Sequence, residues 1–242
     1  MTPLLARCAV VGRGRLGNAL ASALREAGVH VDGPLGREAR AEGADVVLLC
    51  VPDGEIAAAA SCLAPDPEGR RLVGHCSGAT TLAPLDGHEA FSLHPLMTVT
   101  AEGADFRGVP AAIAGSSDRA LEVARALAET LGMRPFTVPD SDRAAYHAAA
   151  SIASNFLITL QWAAERVGGL DREQLAPLVR ATVENWLAQG PERALTGPIA
   201  RGDEETVARQ REAVARNAPD LVELFDALAD ATRTLAAAEV PA

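Results

Sequence analysis

The order of apolar and polar positions changes character once along the chain. Up to residue 139, short apolar runs alternate with helical periodicity, the pattern of a sheet whose strands are joined by crossover helices. "RCAVVG" (7–12), "VHV" (29–31), "ADVVLLCVP" (44–52), "RRLVGHCS" (70–77), "EAFSLHP" (89–95), "VPAAIAG" (109–115) and "RPFTVP" (134–139) read as strands. Helical stretches fall at about 15–27, 55–64 and 117–132. From Asp140 onward no strand pattern recurs. Helices are predicted at 141–167, 171–189, 203–217 and 219–237, with the loop "QGPERALTGPIARGD" (189–203) after the second. Asp140 or Ser141 is the expected cap of the first and Asp203 of a later one. The fold class is therefore α/β, a mostly parallel sheet at 1–139 followed by an all-α C-terminal domain at 140–242.

Directly after the first strand, "VVGRGRLGNALASAL" places Gly12, Gly14 and Gly17 in the G-x-G-x-x-G spacing and opens a helix. The first glycine permits a tight turn, the second lets backbone approach a pyrophosphate, and the third allows close helix–strand packing. The helix start offers unpaired N–H groups and a partial positive charge to an anion. The expectation is a Rossmann-like dinucleotide site built on Gly12, Arg13, Gly14, Arg15, Leu16 and Gly17. Asp32 at the end of the second strand is placed to bind the ribose hydroxyls of NAD, unless it only starts the Gly33-Pro34 turn. Arg37, Arg13 and Arg15 favour the extra phosphate of NADP, so NADP(H) is expected ahead of NAD(H). At the end of the third strand, Val51 and Pro52 are expected along the dinucleotide, with Asp53 either beside it or capping the next helix.

Two further strand ends, "HCSGATTL" (75–82) and "SLHPLM" (92–97), carry Ser77 and His94 to the same sheet edge. A turn cap is the structural alternative for Ser77, and a hydrogen-bonded structural histidine for His94. His75 is read as buried in its strand. In the alanine-rich segment "DRAAYHAAASIASNFLITL" (142–160), His147, Ser151, Ser154 and Asn155 fall on one stripe at about 100° per residue, with Tyr146 off it. That stripe is expected to face substrate, with His147 as a proton donor beside His94; the alternative is close helix packing by small residues. Thr196 and Arg201, in the loop, are candidate substrate contacts, Arg201 as a two-point clamp for a carboxylate unless it pairs with Asp203 or Glu204.

Composition narrows the chemistry. The net charge of −10 argues against nucleic acid, whose binding needs basic patches. No apolar run is long enough to span a bilayer, and the start of the chain lacks a secretory pattern, so a cytoplasmic location is expected. Four cysteines without C-x-x-C spacing read as free thiols in a reducing compartment, with neither a disulfide nor a metal site expected. All 22 basic residues are arginine, which excludes any lysine acid or Schiff base.

Taken in order, "VVGRGRLGNAL", "LLCVPDGEI", "GHCSGATTL", "FSLHPL", "DRAAYHAAASIASNFL" and "ALTGPIARGD" resemble a bacterial family of inferred oxidoreductases. That family joins a Rossmann-like domain to a C-terminal helical domain of unknown function, and the resemblance runs almost end to end. Its wider kin are the 6-phosphogluconate dehydrogenase-like enzymes, among them ketopantoate and pyrroline-5-carboxylate reductases and prephenate dehydrogenases. The resemblance implies a nicotinamide cofactor, a cleft between domains and homodimers through the helical domain. The lysine donor of some of these enzymes has no counterpart here, whereas "HPL" is similar to the His-Pro segment of prephenate dehydrogenases and points to His94. The expected function is an NADPH-dependent reductase or dehydrogenase acting on a small carbonyl, imine or hydroxyacid, ketopantoate-like keto acids included. A non-catalytic NADP(H) sensor is the alternative.

Overall fold

Alternation along the strands gives the sheet two different faces. The structure is a computed structural model and describes residues 7–238. Seven strands form one sheet in the order β2-β1-β3-β4-β5-β6-β7. They are β1 (Arg7–Val11), β2 (His30–Leu35), β3 (Val46–Leu49), β4 (Leu72–His75), β5 (Glu89–Pro95), β6 (Pro110–Gly115) and β7 (Arg134–Thr137). Every neighbouring pair is parallel except β5 and β6, which run antiparallel.

Cys8, Val10, Val46, Leu48, Leu72, Phe91 and Leu93 point to the face covered by α1 (Arg15–Glu26) and α3 (Asp118–Thr130). Ala9, Val11, Val47, Leu49, Val73 and Ala90 point to the other, where α2 (Ile56–Ser61) lies. Burial of both faces explains the near-continuous apolar strands read in the sequence. The second strand is longer than its "VHV" core, because pairing with β1 continues past a register shift to Val11 opposite Leu35.

The chain divides into two compact units, one ending at Ser151 and one beginning at Ile152. The division falls later than the change of pattern at Asp140, because α4 (Arg143–Ser151) packs onto the sheet. Asp140 does not cap that helix. It lies in a 3-10 turn, where its carboxylate accepts from the Leu82 N–H at 3.2 Å and from Arg143 Nε at 3.2 Å. The predicted uninterrupted helix is also interrupted. Residues Ile152–Phe156 are π-helical before α5 (Leu157–Gly168) begins, and the wider turn resets the angle at which later side chains project.

The second unit contains α5, α6 (Arg172–Gln189), α7 (Pro191–Ala194), α8 (Glu204–Asn217) and α9 (Val222–Ala236). Asp171 and Gln174 form a reciprocal capping box at the start of α6, and Asp203 caps α8 as expected. Val214, Ala218 and Leu221 form a small core with Ala163, Val167 and Phe225. α6 buries no residue at all. Among the described residues no helix is long and apolar enough to cross a membrane.

Candidate functional site

Strand order reverses beside β1, since β2 lies on one side of it and β3 on the other. Open α/β sheets bind ligands outside the carboxyl ends of the strands at such a point. Here a cavity of about 610 Å³ is lined by Gly12, Arg13, Gly14, Gly36, Arg37, Glu38, Cys50, Val51, Pro52 and Glu55. The three glycines differ in their reasons. A Cβ on Gly12, which has φ +121°, would lie 2.2 Å from the Cys50 carbonyl oxygen, and one on Gly17 would lie 2.0 Å from the Gly12 carbonyl oxygen. A Cβ on Gly14 would meet nothing within 4 Å. Two glycines are thus required by packing, while the third leaves an open surface at the N-terminus of α1. That helix has no acidic residue in its first turn and no side-chain cap, so its donors remain available to an anion. The Asn18 side-chain amide donates to the carbonyls of Arg13 and Gly14 at 2.9 Å and fixes the turn.

The residues predicted for this site differ in their placement. Leu16 packs against the core on the α1 face. Arg15 is exposed at the helix start. Asp32 lies within β2 rather than at its end, and its carboxylate accepts from Arg7 Nε at 3.0 Å. The strand-end position belongs instead to Gly36 and Arg37. Arg37 Nη1 pairs with Glu55 Oε1 at 2.5 Å, and the second oxygen of Glu55 is buried without a partner. Asp53 opens a 3-10 turn without capping it by its side chain.

A second polar cluster stands at the ends of β4 and β5. Ala90, Ser92 and His94 share one face of β5, and onto it α4 presents Arg143, Tyr146 and His147, spaced i, i+3 and i+4. Tyr146 Oη lies 2.7 Å from His94 Nδ1. The rings of His94 and His147 have centroids 6.5 Å apart. Gly78 admits both: a Cβ there would fall 2.9 Å from His94 Cε1 and 3.0 Å from His147 Cδ2. Arg143 is 1% exposed. Its guanidinium donates to Asp140, to the Ser77 carbonyl at 3.3 Å and to the Ser92 hydroxyl.

The cluster sets the charge state of His94. Burial, then the proximity of His147 and Arg143, lower its pKa from 6.5 to about 4. At pH 7 the ring is therefore neutral. Burial also raises the pKa of Tyr146, which keeps the phenol protonated. Tyr146, set aside in the sequence because it lay off the stripe, faces His94 directly. Arg143 and Gly78 were missed as well; the signal for the three was the i, i+3, i+4 spacing beginning at Arg143 and the glycine after Ser77.

Ser77 serves its turn. Its hydroxyl accepts from the N–H groups of Ala79 and Thr80 and donates to Thr80 Oγ1. His75 is fully buried, with Nε2 3.0 Å from the Thr81 carbonyl and Nδ1 accepting from the Ser77 N–H. Ser151 ends the first unit, while Ser154 and Asn155 belong to the second and hydrogen-bond each other at 2.9 Å. The uniform 100° step on which the stripe from His147 to Asn155 was drawn does not hold through the π-helical turn at Ile152–Phe156. Thr196 and Arg201 are exposed in the second unit. Asp203 accepts from the Thr206 N–H and Glu204 pairs with Arg233, neither with Arg201.

An open glycine turn on a mostly parallel sheet, followed by a helical region, defines a Rossmann-like fold of the kind found in NADP oxidoreductases. The chain belongs to the family described as a domain of unknown function (DUF2520), whose sequence model matches residues 109–232. Solved structures share the fold. A candidate NADP oxidoreductase from Bacteroides fragilis is 22% identical with TM-score 0.79, covering 95% of this chain and 98% of that one. The protein TM1727 from Thermotoga maritima is 24% identical with TM-score 0.77 and the same coverages. A reductive aminase from Aspergillus terreus, in complex with NADPH and ethyl-5-oxohexanoate, is 12% identical with TM-score 0.69, covering 95% of this chain and 98% of its own. No curated protein sequence is significantly similar to the chain.

The lowered pKa of His94 has a consequence for stability. Between about 6.5 and about 4 the unfolded chain binds more protons at this site than the folded one. Stability is unaffected above that window and falls as the pH drops through it, by on the order of 3 kcal/mol at one group. His75, lowered chiefly by burial, acts in the same direction. Urea unfolding measured from pH 7.5 to 4 is expected to show this acid loss, and His94→Gln to flatten it; an unchanged slope in the variant refutes the burial of a neutral ring.

Proposed function

We propose that the protein is an NADPH-dependent reductase, or the reverse dehydrogenase, for a small carbonyl, imine or hydroxyacid compound. The carrying observation is that the open edge of Gly14 and the Tyr146–His94 pair lie along one sheet edge. β1 and β5 are three strand steps apart in the order β1-β3-β4-β5, roughly 14 Å at ~4.8 Å per step, a span suited to the pyrophosphate-to-nicotinamide half of a dinucleotide.

The cavity residues fit such a group. The N-terminus of α1 and the open Gly14 suit the pyrophosphate. The guanidinium of Arg37, held at one edge by Glu55, keeps further donors for the 2′-phosphate that distinguishes NADP. Val51 and Pro52 offer an apolar wall between them. A bound NADPH would supply the hydride.

The chain's own task is the proton. A neutral His94 cannot act as an imidazolium acid at pH 7. As the Nδ1–H tautomer it donates to the oxygen of Tyr146, leaving the phenol proton to face a substrate heteroatom. The alkoxide or amide anion developing there is a far stronger base than phenolate, so a tyrosine with a raised pKa still protonates it. His147, across Gly78 from His94, is the second candidate donor or orienter. Arg143 holds the ends of β4 and β5 against α4 and so fixes the distance between these groups.

Two tests bear on this reading. Purified protein screened for NADPH oxidation against keto acids and cyclic imines is expected to turn over at least one class. Tyr146→Phe should then lower kcat ~10²-fold with NADPH affinity unchanged, and Arg37→Ser should weaken NADPH ~10-fold or more while sparing NADH. Tight NADPH binding with no turnover on any substrate favours a dinucleotide sensor instead; absence of binding refutes both.

We also propose that a second copy of the chain covers the helical unit. Leu178 is 67%, Trp186 53% and Leu187 70% exposed on α6, and Ile158 on α5 is 70% exposed. Such a concentration of large apolar side chains is unusual on a free surface. Light scattering is expected to give a dimer mass, and Leu187→Glu a monomer; a monomeric wild-type protein at micromolar concentration counters the proposal.

A further inference from the structure

Two thiols touch beneath the glycine turn. Cys50 follows β3 and Cys76 follows β4, whose last paired residues are Leu49 and His75. The Cys76 N–H donates to the Leu49 carbonyl at 3.2 Å. The cysteines therefore occupy equivalent positions on neighbouring parallel strands, roughly 5 Å apart across the sheet, a Cα separation that a disulfide accommodates. Their sulfurs are 3.7 Å apart; a covalent bond at about 2.05 Å requires roughly 1.7 Å of approach. Of the remaining cysteines, Cys8 is fully buried on β1 in the same core cluster without a sulfur contact to either, and Cys62 lies at the end of α2.

The pair is placed asymmetrically. Cys50 lines the 610 Å³ cavity, whereas Cys76 is 6% exposed. The hydrogen bond with Cys50, followed by burial, holds the Cys76 thiol protonated. A reagent thus enters at Cys50. Cys50 is also the residue against which the turn is packed: its carbonyl oxygen occupies the space a Gly12 side chain would need, and its Cβ lies 3.3 Å from where a Cβ on Gly17 would be. Displacement of Cys50 is passed to the glycine turn without slack.

We propose that Cys50 and Cys76 form a modification site: a dithiol that a small-molecule disulfide converts reversibly into an intramolecular bridge, and whose closure loosens the hold of the glycine turn on a dinucleotide. The coupling, but not the bridge, rests on the dinucleotide reading above. In the first step the Cys50 sulfur, giving up its proton, attacks the reagent disulfide and expels one thiol, leaving a mixed disulfide. The Cys76 sulfur, losing its proton in turn, then attacks the Cys50 sulfur and expels the second thiol. Two electrons and two protons pass from the protein to the reagent, and excess dithiol reverses the sequence. Linkage makes the effect reciprocal at equilibrium: bridging weakens the dinucleotide, and a bound dinucleotide favours the open dithiol by the same factor. A dinucleotide in the cavity that Cys50 lines also shields it from the reagent.

The test uses the full chain and its Cys50→Ser, Cys76→Ser and Cys62→Ser variants with oxidised glutathione. Intact mass and peptide mapping are expected to show loss of two hydrogens and a Cys50–Cys76 link in wild type and Cys62→Ser, with neither in the other two variants. Titration of NADPH fluorescence is expected to show affinity lowered ~10-fold or more in the bridged protein and restored by dithiothreitol, and saturating NADPH to slow bridging. A stable glutathione adduct on Cys50 that never resolves, or a bridge that leaves NADPH affinity unchanged, overturns the proposal. A reduced protein that binds no NADPH overturns the coupling together with the proposed function, while a missing bridge leaves that function standing.

Discussion

The polar cluster depends on one buried cation. A guanidinium with 1% exposure is tolerated only when its donors are met, since an unpaired buried charge costs several kcal/mol. Arg143 meets them by bridging the 3-10 turn at Asp140, the carbonyl of Ser77 after β4 and the hydroxyl of Ser92 within β5. That bridge presses α4 onto the sheet, and Tyr146 and His147 follow from it by helical geometry. Burial, then His147 and the same positive charge, keep His94 neutral. Arg143 thus sets the position of the cluster and adds to the burial that sets its protonation state.

The glycine turn is governed by sterics of a different kind. Gly12 and Gly17 have no room for a side chain because Cys50 and the turn's own carbonyl stand against them. Gly14 has room and does not use it. The contrast separates what folding requires from what is left for a ligand, a distinction that the spacing of the three glycines alone does not make. It also ties the nucleotide cavity to β3 through Cys50, so the sheet and the turn cannot move independently.

Most of the sheet was legible from periodicity because fully apolar runs bounded by glycine and proline admit few alternatives, and β5 ends where "EAFSLHP" ends. The antiparallel entry of β6 was not, since nothing local in "VPAAIAG" encodes the direction of its neighbour. Asp32 was misplaced because a strand end was assigned at Gly33-Pro34, where pairing in fact continues to Leu35. The π-helical turn beginning at Ile152 was not legible either, so the polar stripe was drawn with a constant angular step that the helix does not keep. Tyr146 was missed for a related reason: angles place residues relative to each other and not relative to the partner they meet. Arg143 looked like one more surface arginine among 22, and only the tertiary fold shows its burial.

The distribution of aromatic residues gives the two units separate optical identities. Both tryptophans, Trp162 and Trp186, lie in the helical unit, and Trp162 carries the Arg166 guanidinium 4.8 Å from its ring. The sheet unit contains no tryptophan, and its sole tyrosine is the one bound to His94. Indole emission from this chain therefore originates in the helices alone, whereas the phenol absorbance belongs to a single group in the polar cluster. Spectra that are usually averages over a whole molecule here resolve it into two addressable parts.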